Sequence, residues 1–166
     1  EDLDWMHAML AQPRTGIATD SHKFDTKGTL KLAGVSIKKL PKLHANSDGD
    51  VALHALATAI SQALGQGSLG TFADEIVATG VTESVQFLKP LIKELKKQNF
   101  VIGHLGLHFE CKNPKIDPLV PSMKKSLAKI LHINATQIGI TATSGEGLTT
   151  FEKAIHCTAA VTLWKK

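Results

Sequence analysis

Two short clusters hold the residues best suited to chemistry. Ser47-Asp48-Gly49-Asp50-Val51-Ala52-Leu53-His54 sets an aspartate and a histidine four residues apart, where a turn runs into an apolar stretch. At helical pitch Asp50 and His54 share a face near the first turn. Upstream, Asp20-Ser21-His22 sets an acid and a second histidine two apart, so an extended strand turns both to one side. Two histidines and one aspartate from separate segments supply three ligands to a divalent ion and leave a fourth position open. That is the arrangement of a catalytic zinc rather than a structural one. Asp20, His22 and His54 are the candidate ligands. Asp48 is the expected helix N-cap, and Asp48 and Asp50 are expected to cap and to orient imidazoles.

A second group suits phosphate. Thr141, Thr143 and Ser144 run into Gly145 and Gly147, and hydroxyls with glycine N–H groups at a strand end can hold phosphate oxygens. Glu146 adds one carboxylate, enough for a Mg²⁺ that draws other ligands from substrate. Asn113-Pro114-Lys115 is a rigid turn with a positive charge. His104 and His108 share a strand parity but lack a carboxylate spaced to orient them, so they read as structural. His7, His44 and His132 are expected in solvent.

The elements that must position these residues follow from periodicity. Residues 1–14 read as a short amphipathic helix, with Leu3, Met6, Met9 and Leu10 at helical spacing before Pro13. Gly16 to Asp20 reads as a strand ending at the first cluster, and Thr29 to Ile37 as a hairpin arm or edge strand. Val51 to Leu64 is a small-residue helix closed by Gly65-Gln66-Gly67, and Ser68 to Thr82 an irregular loop. Thr82 is expected to cap a second helix with Val85, Leu88, Leu91, Ile92 and Leu95 on one face, kinked or delayed by Pro90. Phe100 to Cys111 alternates as a strand, with Val101, Leu105, Leu107, Phe109 and Cys111 on one parity. Leu119, Met123, Leu127, Ile130 and Leu131 mark a third helix, Ile138 to Ala142 a strand, and Ile155 to Leu163 the clearest strand of all. Helices between non-hairpin strands predict an α/β (α+β) two-layer sandwich, a mixed β-sheet with helices on one face. Ala160, Thr162 and Trp164 on the outer parity of the last strand suggest a subunit contact.

Composition narrows the classes. The chain has 166 residues, 43% of them hydrophobic, enough for one domain with a core. No run approaches the roughly 20 apolar residues of a membrane span, and the acidic first residues do not resemble a signal peptide. Net charge is +4 with aromatics at 5% and no Tyr, which argues against a stacking surface for nucleic acid. Cys111 and Cys157 lack CxxC spacing and read as free thiols in a reducing, cytoplasmic setting.

With these residues in view, the chain resembles the 2-C-methyl-D-erythritol 2,4-cyclodiphosphate synthase family. Asp20-Ser21-His22 is similar to its Asp-x-His zinc cluster, and Ser47 to His54 to its Ser-Asp-Gly-Asp-Val-x-x-His segment. The likeness spans roughly residues 15–166 and continues through Asn113-Pro114-Lys115, Pro118 to Met123, the Thr-Ala-Thr at 141–143, Glu146 and the Cys-bearing last strand. It implies a homotrimer with active sites between subunits, acting in the non-mevalonate isoprenoid pathway. The implied reaction closes 4-diphosphocytidyl-2-C-methyl-D-erythritol 2-phosphate into a cyclic diphosphate and expels CMP. Zinc or another divalent cation would sit on Asp20, His22 and His54, and Mg²⁺ or Mn²⁺ on Glu146 with the substrate. Asn113, Pro114, Lys115 and Ile116 would hold cytosine, while Asn46, Ser47, Ser68, Gly70 and Asp74 would line the substrate pocket. Thr143, Ser144 and Asp50 would do the catalytic work beside the metal.

Some positions depart from the family pattern. Asn46 stands where the family has His, Ser68 where it has Asp, and Gly147 where it has Lys. The loop near Asp74 is shortened, and the Arg before the last strand is missing. These departures keep an alternative open: a catalytically impaired, zinc-holding trimer that binds a nucleotide or an isoprenoid diphosphate. Residues 1–14 resemble the end of a cytidylyltransferase, as in fused enzymes of the pathway. The compartment implied is the cytoplasm, or a plastid in a plastid-bearing organism.

Overall fold

A computed structural model describes residues 12–68, 70 and 76–166. Strand β6 (Ala154–Lys165) sits inside the sheet, and its alternation explains why. Ile155, Cys157, Ala159, Val161 and Leu163 are buried, while His156, Thr158, Ala160 and Thr162 between them are half-buried. One covered face and one partly open face produce that period of two. β6 pairs antiparallel with β1 (Arg14–Lys23) on one side and β4 (Phe100–Glu110) on the other. β5 (Ile138–Thr143) joins β4 in parallel, giving a mixed sheet ordered β1-β6-β4-β5. Residues 29–37, expected as a single hairpin arm or edge strand, fold instead into a complete small hairpin, β2 (Leu30–Leu32) against β3 (Val35–Ile37).

Helices cover one face. α1 (Val51–Ala63) lies on β1 and β6. Only Thr58 and Gln62 of α1 escape full burial. Its alanines, with Gly16 of β1 opposite, allow close approach: a Cβ on Gly16 would stand 1.9 Å from the Ala59 carbonyl oxygen. α2 (Val85–Lys97) packs on α1 and β4, and α3 (Val120–Leu131) on β5. A four-residue α4 (Thr150–Lys153), which periodicity does not signal, leads into β6. The other face leaves Ile17, Val101 and Trp164 exposed at 58%, 39% and 47%. The expected mixed sheet with helices on one face is present.

Several local expectations change. The helix expected over residues 1–14 falls mostly outside the described residues, and Arg14 already belongs to β1. β1 runs on to Lys23 because β6 offers a partner along its whole length, from Arg14↔Leu163 to Lys23↔Ala154. Asp20 and His22 therefore lie within the strand rather than at its end. α2 starts after Ser84, not Thr82, since the Thr82 carbonyl is taken by the Asp48 N–H at 2.8 Å. Pro90 sits inside α2 on its exposed side, where water can satisfy the carbonyl it leaves unpaired.

The parity expected for β4 fails at its start. A register shift between Ile102 and His104 puts Phe100 and Ile102 in the core and turns Val101 outward. The extra residue of such a bulge is Gly103. A Cβ there would meet the Trp164 ring at 2.1 Å, so only glycine lets the indole lie over this point. No helix among the described residues is long and apolar enough to cross a membrane.

Candidate functional site

Asp20 and His22 leave β1 on the helix side, and His54 comes down from the first turn of α1 to meet them. Asp20 Oδ2 lies 2.9 Å from His22 Nε2 and 3.0 Å from His54 Nδ1, and the two nitrogens are 3.3 Å apart. Among the described residues this is the one group of three acidic, histidine or cysteine side chains with ligand atoms within 4.8 Å of one another. Ligands about 2.0–2.1 Å from a tetrahedral zinc stand about 3.3 Å apart. The triangle is thus near the size zinc requires, and one oxygen with two imidazole nitrogens is a donor set zinc accepts.

The charges are coupled. Burial alone would raise the Asp20 carboxyl, but hydrogen bonds and positive charge from His22 and His54 hold it well below the usual carboxylate range. The Asp20 hydrogen bond raises His22 above its ordinary 6.5, against the opposing effect of burial. A deprotonated carboxylate beside two imidazoles is ready for a divalent cation.

The turn before α1 fixes His54. Asp50, not Asp48, is the N-cap: its carboxylate accepts from Leu53 N at 3.1 Å. It also accepts from Ala33 N at 2.8 Å and Gly34 N at 2.7 Å in the hairpin turn. Asp50 is fully buried, and burial raises its pKa against these bonds. Expected at the catalytic centre, it instead ties α1 to the β2–β3 turn. Asp48 accepts from Lys31 Nζ at 3.2 Å and from the Ser84 hydroxyl. Ser84 Oγ and Ser47 Oγ lie 2.8 and 3.1 Å from His54 Nε2, and the Phe87 ring tilts against the imidazole at 5.8 Å. Ser47, expected toward substrate, is thus engaged with His54. Sequence reasoning missed Ser84 and Phe87. Ser84 precedes an apolar helical run, a capping signal, but nothing in sequence links it to a histidine thirty residues earlier.

The second cluster forms a separate pocket. Pro114, Lys115, Ile116 and Asp117 face Ala142, Thr143 and Ser144, with Cys111 at the base. The Cys111 N–H donates to the Thr143 carbonyl at 3.2 Å, which fastens the turn to the end of β5. Thr143 Oγ1 accepts from Gly145 N at 2.9 Å. Asn113 and Glu146 are exposed beside this pocket.

Strand register shows that the two clusters are apart. Asp20 is level with Cys157, Phe109 and Ala142 in successive strands. Three inter-strand steps put about 14 Å between the metal group and the pocket. Buried Cys157 and Phe109 fill the gap. Asn46, Ser68 and Gly70 are exposed; Asp74 lies outside the described residues. His44, His104 and His132 are exposed, and His108 Nδ1 pairs with Thr141 Oγ1 at 2.9 Å.

Comparison with known proteins gives the chain a family. A model of the YgbB family matches residues 13–164. The 2-C-methyl-D-erythritol 2,4-cyclodiphosphate synthase of Chlamydia trachomatis serovar L2b is 41% identical, with 98% of this chain and 90% of that protein covered. The synthase of Chlamydia felis is 43% identical over 83% of this chain and 80% of its own length. Among solved structures, the IspF of Plasmodium falciparum in complex with CDP superposes with a TM-score of 0.82 at 29% identity, covering 94% of this chain and 98% of that one. The bifunctional IspDF of Campylobacter jejuni gives a TM-score of 0.87 at 27% identity, covering 94% of this chain and 43% of that one. With its Asp-His-His triangle set on this sheet, the chain belongs to the YgbB family.

Proposed function

We propose that the chain cyclises 4-diphosphocytidyl-2-C-methyl-D-erythritol 2-phosphate to 2-C-methyl-D-erythritol 2,4-cyclodiphosphate with release of CMP, as a lyase of non-mevalonate isoprenoid biosynthesis. The observation that carries this reading is the triangle of Asp20, His22 and His54, in a chain 41% identical to a synthase of that name. Those three residues would hold zinc, which supplies charge neutralisation and polarisation at a phosphate. In the reaction an oxygen of the 2-phosphate bonds to the β-phosphorus as the bond to the CMP oxygen breaks. The residues have little acid–base work to do; holding the substrate folded is their main contribution.

The pocket of Pro114, Lys115 and Ile116, with Asn113 beside it, would take the cytidine end; that the Plasmodium relative is a CDP complex supports a cytidine ligand. Gly145 N already donates to Thr143 Oγ1, so the Thr143 hydroxyl proton is available to a phosphate oxygen, with Ser144 beside it. Glu146 offers a single exposed carboxylate and fits Mg²⁺ or Mn²⁺ only together with substrate oxygens. Asp50 serves here as a positioning residue. Asn46, Ser47, Ser68, Gly70 and Asp74 remain assigned to the erythritol side.

The separation of about 14 Å between the two clusters supports a homotrimer in which one subunit's metal group faces a neighbour's pocket. The sheet face exposing Ile17, Val101 and Trp164 is the surface we assign to that assembly. Residues 15–166 are the catalytic domain in this reading and 1–14 a preceding tail. The Campylobacter fusion supports a cytidylyltransferase as a fused or associated partner. Two buried cysteines suit a reducing cytoplasm.

Purified protein with Zn²⁺, Mg²⁺ and substrate should release CMP and give a cyclic diphosphate by phosphorus NMR. An acyclic product would mark a phosphate-ester hydrolase instead. CDP binding without CMP release would favour the impaired, ligand-holding trimer, to which Ser68 and Gly147 point.

A further inference from the structure

Between β5 and β6 the chain carries Thr143, Ser144 and Glu146 past the pocket on a backbone that most residues avoid. Gly145, Glu146 and Gly147 have φ of 75°, 48° and 81°. Leu148 N–H donates to the Gly145 carbonyl at 2.9 Å, closing a turn with Glu146 and Gly147 at its centre. Positive φ at both central positions marks a type I′ turn, whose first central residue is usually Asn, Asp or Gly. A glutamate is disfavoured there and persists only where its surroundings hold it. Phe151, in the short helix α4, supplies that hold. A Cβ on Gly145 would stand 2.4 Å from Phe151 Cδ2 and 2.6 Å from Phe151 Cβ, so the phenylalanine lies directly on the Gly145 backbone. Gly145 is buried there although Ser144 and Glu146 on either side are exposed. The same ring meets the His156 imidazole of β6 edge to face, with centroids 6.5 Å apart. α4 is itself fastened beside the turn at 113–116. Lys112 N–H donates to the Phe151 carbonyl at 2.9 Å, and Lys112 Nζ donates to Glu152 Oε1 at 2.6 Å. One residue earlier, Cys111 N–H holds the Thr143 carbonyl. Two consecutive residues just past β4 therefore grip both ends of the segment 143–152.

We propose that Phe151 is a positioning residue for the phosphate side of the pocket: it seats the Gly145–Leu148 turn and so fixes where Thr143, Ser144 and Glu146 meet a nucleoside diphosphate. Phe151 touches no ligand and acts through Gly145. Without the ring the turn keeps its own hydrogen bond but loses the surface it rests on. Ordering it again on binding would then cost affinity. That cost falls on the diphosphate, because the cytidine end is set by the turn at 113–116, which the ring does not support.

This inference rests on reading the pocket as a site for a cytidine diphosphate, not on the cyclisation. Its test compares two probes, CDP with Mg²⁺ and cytidine alone, titrated calorimetrically into the intact protein. Phe151 is half-buried at the surface, so its replacement spares the core. Phe151→Ala should weaken CDP binding about tenfold and leave cytidine binding within about twofold. Phe151→Leu keeps apolar bulk against Gly145 and should recover most of the loss. Equal losses for both probes would mean a general loosening of the pocket and overturn the proposal. A Phe151→Ala protein that binds CDP like the wild type would overturn it too. Wild-type protein that binds no CDP overturns it together with the reading of the pocket. A loss confined to CDP, in a protein that releases no CMP, supports the proposal and sinks the cyclisation alone.

Discussion

At the scale of single residues, the account stands on three ligand atoms and what holds them. His54→Ala should lower zinc affinity by roughly a hundredfold or more, since a ligand counts for more than the groups behind it. Its circular dichroism should stay that of the wild type. The Asp20–His22 pair makes the metal-free protein's stability depend on pH. The His22 pKa is raised above 6.5, so its contribution is full below pH 6.5 and is lost as pH rises through the elevated value. The Asp20 pKa is lowered from 3.8, so its contribution is present above pH 3.8 and is lost as pH falls through the depressed value. The thermal stability of metal-free protein should therefore fall above pH 6.5, and His22→Asn should remove that slope. If Ser68 lies in the substrate pocket as proposed, the aspartate that the family resemblance implies there would add a charged hydrogen bond worth about 1.5–3 kcal/mol. Ser68→Asp should lower KM about tenfold or more in the CMP-release assay; an unchanged KM would remove Ser68 from the substrate pocket. The ligands were legible in sequence because their spacing matches strand and helix periods. Ser84 was not, because its partner lies thirty residues away and only the fold joins them.

At the scale of elements, α1 must sit close on β1 for His54 to reach Asp20 and His22. Gly16 makes that approach possible, so Gly16→Ala should push α1 outward. The expected loss is about 1–3 kcal/mol, typical of overpacking, read as a lower thermal midpoint, and zinc affinity should fall with it. A protein with unchanged midpoint and affinity would show that this contact does not set the site. The period-two pattern of β6 and the small-residue face of α1 were legible because one face of each is fully covered. The start of β4 was not, since one bulge at Gly103 reverses its parity without leaving an apolar signature. Asp48 and Asp50 both look like caps in sequence. The hairpin turn selects Asp50, because only its carboxylate meets the N–H groups of Ala33 and Gly34.

At the scale of the whole molecule, burial keeps both thiols quiet. Cys111 is pushed up to about 11 by burial and Cys157 well above the ordinary thiol value. Neither should react with iodoacetamide at pH 7.5 until the protein is unfolded, as peptide mass analysis would show. The proposed homotrimer predicts a native mass about three times the 17.8 kDa of the chain. Co-expressed His54→Ala and Glu146→Gln chains, each inactive alone, should regain part of the wild-type activity. Their mixed assemblies join an intact metal group to an intact pocket across a subunit boundary. Mixed assemblies as inactive as either parent would place both clusters' work within one subunit. Sequence resemblance implied this arrangement, but only the strand order made the distance between the clusters visible. The most direct measurement is metal content after equilibration with Zn²⁺ and removal of the excess. The account predicts one zinc per wild-type chain and none in Asp20→Ala or His54→Ala; zinc retained at full stoichiometry in both variants would contradict it.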